Sequence, residues 1–125
     1  MRIILIRNRR SRKSPEPTLP YSRLVLVVNR FRGGDGLRAD LEAVHALLAG
    51  FPGYVDGAIG RNLDEPDLWV LTTRWENVGA YRRALSSYDV KLKGIPVLSQ
   101  ALDEPGAYEV VEPNAVLNEA RSRVT

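Results

Sequence analysis

The chain has 125 residues, 44% of them hydrophobic and 26% charged, with no cysteine and a formal net charge of +3. That length suits one domain with a sizeable core. The missing thiols exclude disulfides, cysteine nucleophiles and cysteine-based zinc sites.

The charge is unevenly spread. Residues 1–23 carry seven Lys/Arg against one acid, Glu16, whereas the remainder carries eleven against fourteen. The basicity therefore belongs to an N-terminal arm and the rest is acidic. Such an arm can attract nucleic acid or anionic lipid, but an acidic domain makes nucleic acid an improbable partner. "MRIILI" is too short for a signal-peptide core and runs into charge, and no stretch approaches the ~20 apolar residues of a membrane helix. We expect a soluble, cytoplasmic protein.

Residues 1–22 read as a basic, Pro-containing extension, with Pro15, Pro17 and Pro20 opposing helix and central strand. "MRIILI" is open to serving as an edge strand. The domain is expected over residues 23–112. "RLVLVVNRFR" (23–32) is apolar on both faces apart from Asn29 and predicts a central strand. "GGDG" (33–36) is a turn, lacking both the Lys-Ser/Thr of a P-loop and dinucleotide-fingerprint spacing, with Asp35 placed as a helix N-cap. Leu37, Leu41, Val44 and Leu48 recur with helical period, and Gly50 and Pro52 end that helix.

"YVDGAIGRNL" (54–63) predicts a strand loosened by Gly57 and Gly60. "DEPD" turns the chain into "LWVLTTRW" (68–75), a strong strand carrying both tryptophans on one side. Residues 76–88 predict a helix with Val78, Tyr81 and Leu85 on one face, and 94–102 a further helical turn or two that tolerates Pro96 at its start. "AYEVVE" (107–112) predicts the last strand, and 113–125 a polar tail. The order β-α-β-β-α-β gives the fold class: α+β, ferredoxin-like, a four-stranded antiparallel sheet with helices on one face. The other face carries apolar residues, and sheet-to-sheet homodimerisation would cover it.

Catalytic motifs are sparse. His45 is the lone histidine, which excludes a histidine metal cluster and a Ser-His-Asp triad, and packing or the surface is its expected role. Asp64-Glu65 and Asp103-Glu104 sit beside prolines in turns and read as solvated loops. Asn29 stands out, because a buried amide needs a partner or costs about 1–3 kcal/mol. Trp75, at a strand end, and Tyr81, on the next helix, can line a crevice with flat surfaces and polar handles. Trp69 is expected to pack, and Arg74 to point away from Trp75.

"LVVNRF", "FPGYVDG", "LWVLTTRW" followed by a helix, and "AYEVV" occur in the order and spacing of the antibiotic biosynthesis monooxygenase family of dimeric α+β barrels, which residues 23–112 resemble. The resemblance implies a homodimer and a cofactor-independent monooxygenase acting with dioxygen on a flat phenolic, quinol or quinonoid small molecule. Asn29, Trp75 and Tyr81 are the implied catalytic residues, with no cofactor and no metal. The haem-degrading branch has an Asn and a Trp similar in place to Asn29 and Trp75, but its haem-ligating His would fall near Gly94. The polyketide-oxidising branch has Trp and Tyr spaced like Trp75 and Tyr81, whereas its preceding Asn and a downstream Arg are replaced by Leu71 and Ile95. Haem binding without the usual ligand, and a non-catalytic metabolite-binding or accessory dimer, stand as alternatives. The oxygenase reading requires Asn29 and Trp75 to meet around a hollow that admits a planar guest.

Overall fold

The computed structural model describes residues 4–7 and 23–117. Most of the N-terminal extension, and residues 118–125 of the tail, lie outside the described residues. Five strands and three α-helices follow in the order β1 (Ile4–Arg7), β2 (Val25–Arg32), α1 (Gly36–Ala49), β3 (Tyr54–Arg61), β4 (Leu68–Trp75), α2 (Val78–Ser86), α3 (Ile95–Leu98) and β5 (Ala107–Glu109).

The sheet is antiparallel throughout, in the order β1-β3-β4-β2-β5. Its last four strands are the expected ferredoxin-like set. β1 answers the question the "MRIILI" stretch left open, since Ile4–Arg7 pairs with β3 as a fifth, edge strand. β2 and β4, the most aliphatic segments, lie inside the sheet, where both neighbours use their backbone groups.

Alternation then sorts the side chains. Val27 and Phe31 on β2, with Trp69, Leu71, Thr73 and Trp75 on β4, are buried on the helix-covered face. Leu37, Leu41, Val44 and Leu48 of α1 join the same core. Leu26, Val28, Ala58, Val70 and Thr72 point the other way and are only half-buried in one copy of the chain.

Two local expectations change. Asp35 occupies the N-cap position of α1 but makes no capping bond; its carboxylate instead lies 3.5 Å from Arg61 Nη1. Val78 is exposed at the first turn of α2, whose buried residues are Ala80 and Ala84; the Asn77 side chain caps this helix by accepting from Ala80 N–H at 2.8 Å. Residues 94–102 hold the further helical turn expected there, the four-residue α3, and a π-helical turn, Val90–Gly94, comes before it. Pro96, at its start, has no N–H to donate to the turn before it.

Gly50 stands at the C-cap of α1, as expected. The following Gly53 has φ of +89°, and a Cβ there would come within 2.3 Å of the Ala80 Cβ. Only glycine combines that backbone with so close a helix.

Candidate active site

β4 ends by directing Trp75 inward beneath α2. The indole is fully buried, and its Nε1–H donates to Thr73 Oγ1 at 2.9 Å. Tyr81 of α2 lies against it, ring centroids 5.8 Å apart. Tyr54 meets it edge-on from β3, at 5.6 Å and 86°. The structure thus brings together Trp75 and Tyr81, two of the three residues singled out from sequence.

Asn29 is elsewhere on the same face. It pairs with Leu71, whereas Trp75 pairs with Val25. Four residues of strand separate the two positions, ~13 Å at the usual rise. Side chains at that spacing on one face can flank a planar guest without touching, but the indole, at 0% exposure, presents no free face in this chain, so Tyr81, lying against it, is the ring left to face Asn29. Asn29 itself is half-buried, and among the described residues its side chain has no hydrogen-bond partner. A strap over residues 102–106 runs beside it. Leu102 N–H donates to Arg30 O and Val28 N–H to Gly106 O, and a Cβ on Gly106 would lie 3.2 Å from Asn29 Oδ1.

Two further residues complete the buried cluster, and the sequence did not mark either as part of a site. His45 is fully buried, and its Nε2 lies 2.8 Å from the Tyr54 hydroxyl. Its Nδ1 has no partner among the described residues. Burial alone holds the imidazole below its usual pKa, and burial, with a smaller contribution from nearby Asp56, pushes the Tyr54 phenol well above the ordinary tyrosine range. Burial also raises Tyr81. All three rings are consequently neutral near pH 7.

Tyr54 reaches this cluster through a β-bulge. It pairs with Trp75 while Asp56 pairs with Arg74, which leaves Val55 as the extra residue. Strict alternation would put Tyr54 and Asp56 on one face. The bulge sends the phenol inward and the carboxylate to the uncovered face, where Asp56 takes a two-pronged bond from Arg74, Nε to Oδ1 at 2.7 Å with a second contact from Nη2 to Oδ2. Arg74 thus lies outside the cluster, as expected.

Trp69 packs in the core and donates its Nε1–H to Gly33 O at 3.1 Å, under the Arg61 guanidinium. The two acid pairs stay in turns, Glu104 clasping Arg30 and Glu65 clasping Arg32. Among the described residues no group of three His, Asp or Glu is placed to hold a metal ion, and no helix is long and apolar enough to cross a membrane. Gly94 is buried against Val90 and Leu47.

The model of the family described as antibiotic biosynthesis monooxygenase matches residues 25–91, more than half of the chain. The chain belongs to the antibiotic biosynthesis monooxygenase family. Solved structures share its fold. SnoaB, a cofactor-independent oxygenase from Streptomyces nogalater, superposes with a TM-score of 0.64 at 23% identity, over 73% of this chain and 96% of that one. A protein of Deinococcus radiodurans assigned to antibiotic biosynthesis monooxygenases gives 0.57 at 19% identity, over 75% and 99%. A Mycobacterium tuberculosis protein gives 0.56 at 21%, over 78% and 99%. No curated protein sequence matches the chain. At these identities the structural likeness speaks for the fold of this monooxygenase-family domain, and its site has to be argued from its own residues.

Proposed function

We propose that this family member is a homodimeric monooxygenase that oxidises a flat phenolic or quinol-type small molecule with dioxygen and without a prosthetic group. The observation that carries the reading, beside the family, is the Asn29 carboxamide. It is half-buried on the helix-covered face and unpartnered among the described residues. Its amide is not sealed in the core, so both its N–H groups and its oxygen are available to an incoming ligand.

In this reading Asn29 donates its N–H to the phenolate oxygen of the substrate and stabilises the developing charge. Tyr81 keeps surface to offer, and its raised pKa keeps it a proton donor. Trp75 backs Tyr81 from behind and fixes the orientation of its ring. The electron-rich phenolate passes one electron to dioxygen. The resulting radical pair combines as a carbon-bound peroxide, and loss of water from it leaves the quinone. The protein supplies orientation and a site shielded from water. The half-buried apolar sheet face, flanked by the Arg30–Glu104 and Arg74–Asp56 pairs, supports pairing of two copies.

Oxygen uptake against a panel of hydroquinones and anthrones tests the proposal. We expect saturable uptake, falling by roughly 10²–10³ in kcat when one oxyanion donor is removed by Asn29→Ala, and a clear loss in Tyr81→Phe. Uptake no faster than in buffer across the panel, or equal rates in both variants, refutes it.

A further inference from the structure

We propose that Trp75, Tyr54 and His45 form a buried one-electron relay, in which Tyr54 reduces an oxidised Trp75 while passing its phenol proton to His45. The proposal goes beyond the oxygenase reading: the radical and the quinol that would drive it in use rest on that reading, whereas the electron transfer itself does not. Two tyrosines flank the Trp75 indole at nearly equal ring separations, Tyr54 at 5.6 Å and Tyr81 at 5.8 Å. Only one of them has an imidazole nitrogen at its hydroxyl. His45 Nε2 lies 2.8 Å from the Tyr54 oxygen, whereas the Tyr81 hydroxyl has no partner among the described residues.

Packing alone does not call for this arrangement. All three participating rings are fully buried. An imidazole and a phenol there cost more to desolvate than aliphatic side chains of similar volume, and His45 Nδ1 is left without a partner among the described residues. Room for the pair depends on Gly57, where a Cβ would lie 2.7 Å from His45 Nε2 and 2.9 Å from the Tyr54 oxygen. The β-bulge at Val55 is what turns Tyr54 inward to meet both partners. A desolvated imidazole is neutral, and in the tautomer with hydrogen on Nδ1 its Nε2 lone pair faces the phenol and is free to accept a proton. Among the described residues, the charges that bear on Tyr54 include Asp56 and, bound to it, Arg74.

The electron balance is simple. An oxygen-centred radical takes one electron from the indole, is reduced to the peroxide level, and leaves an indole radical cation. That cation takes one electron from Tyr54. The Tyr54 O–H bond breaks, its proton bonds to His45 Nε2, and a neutral tyrosyl radical remains beside an imidazolium. One electron from a quinol, with return of the proton from His45, restores the resting state. An oxidised phenol is so strongly acidic that even an imidazole weakened by burial accepts its proton. The relay would move a stray oxidising equivalent away from Tyr81 and its surroundings.

Photoionising the indole with an ultraviolet laser flash tests this without any substrate. In a Trp69→Phe background Trp75 is the only indole. We expect the indole radical absorption to decay with a matching rise of tyrosyl radical, slowed in deuterated water. Tyr54→Phe abolishes the matched rise, Tyr81→Phe retains it, and His45→Gln slows it several-fold. Near-UV circular dichroism checks that each variant is folded. Should Tyr54→Phe not fold, His45→Gln decides, because it keeps both rings and removes only the base. Transfer at the parent rate in Tyr54→Phe or in His45→Gln, or its loss in Tyr81→Phe, overturns the proposal. The oxygenase reading stands or falls separately, on oxygen uptake.

Discussion

Replacing Gly57 by alanine adds one methyl group at the tightest point of the buried cluster. That Cβ would lie 2.4 Å from Thr72 O, 2.7 Å from His45 Nε2 and 2.9 Å from the Tyr54 hydroxyl oxygen. The first of these atoms is backbone inside the β3–β4 ladder and cannot swing aside. Overpacking of this kind costs about 1–3 kcal/mol. Displacing His45 from Tyr54 leaves buried polar atoms unpaired, at about 1–3 kcal/mol more. Restricting the unfolded chain returns about 0.4–1 kcal/mol. The net expectation is a loss of roughly 2–4 kcal/mol, read from urea unfolding with an unchanged m-value. Gly60→Ala is the internal control. It sits three residues along the same strand and faces Val70, whose Cγ1 would be 3.1 Å away at the movable end of a side chain. That variant is expected within about 1 kcal/mol of the parent. If Gly57→Ala proves as mild as Gly60→Ala, the packing of His45 and Tyr54 against β3 is not as described, and the relay loses its foundation.

Other predictions concern separate parts of the fold. Because burial lowers the His45 pKa, the unfolded chain binds the proton more readily than the native one once the pH falls below the ordinary imidazole value of 6.5. The contribution is therefore fully present above pH 6.5 and is lost as pH falls toward the depressed native value, by at most ~1.4 kcal/mol per pH unit; chemical denaturation at pH 7.5 and pH 5.5 should show the drop, and His45→Gln should reduce it. Asn77→Ala removes the only side-chain cap of α2 and is expected to cost about 1 kcal/mol; no change in the unfolding midpoint would show that this helix does not depend on its cap. Light scattering at micromolar concentration is expected to give a dimer, and Val70→Glu, placed amid the half-buried face, a monomer; a monomeric parent would contradict pairing through that face.

Periodicity carried most of the fold. Aliphatic alternation in 25–32 and 68–75, the helical recurrence of Leu37, Leu41, Val44 and Leu48, and turn chemistry at 33–36 and 64–67 are local properties, and the elements formed where they indicated. Once β-α-β-β-α-β is legible, few topologies remain open to a short antiparallel chain. The contact between Trp75 and Tyr81 was legible for the same reason, since a strand end and the helix after it are neighbours.

What alternation could not supply was everything that depends on register and on contacts distant in sequence. One extra residue, Val55, reverses the face on which Tyr54 lies, and nothing about valine in a strand announces a bulge. The pairing of β2 with β4 sets Asn29 against Leu71 and so holds it away from Trp75. Asn29 and Trp75 share a face, but the distance along that face follows from a hydrogen-bond ladder between segments some forty residues apart, on which sequence pattern is silent. His45 recurs with the apolar positions of α1, which assigned it to packing; its hydroxyl partner became visible only when helix and bulged strand were laid against each other.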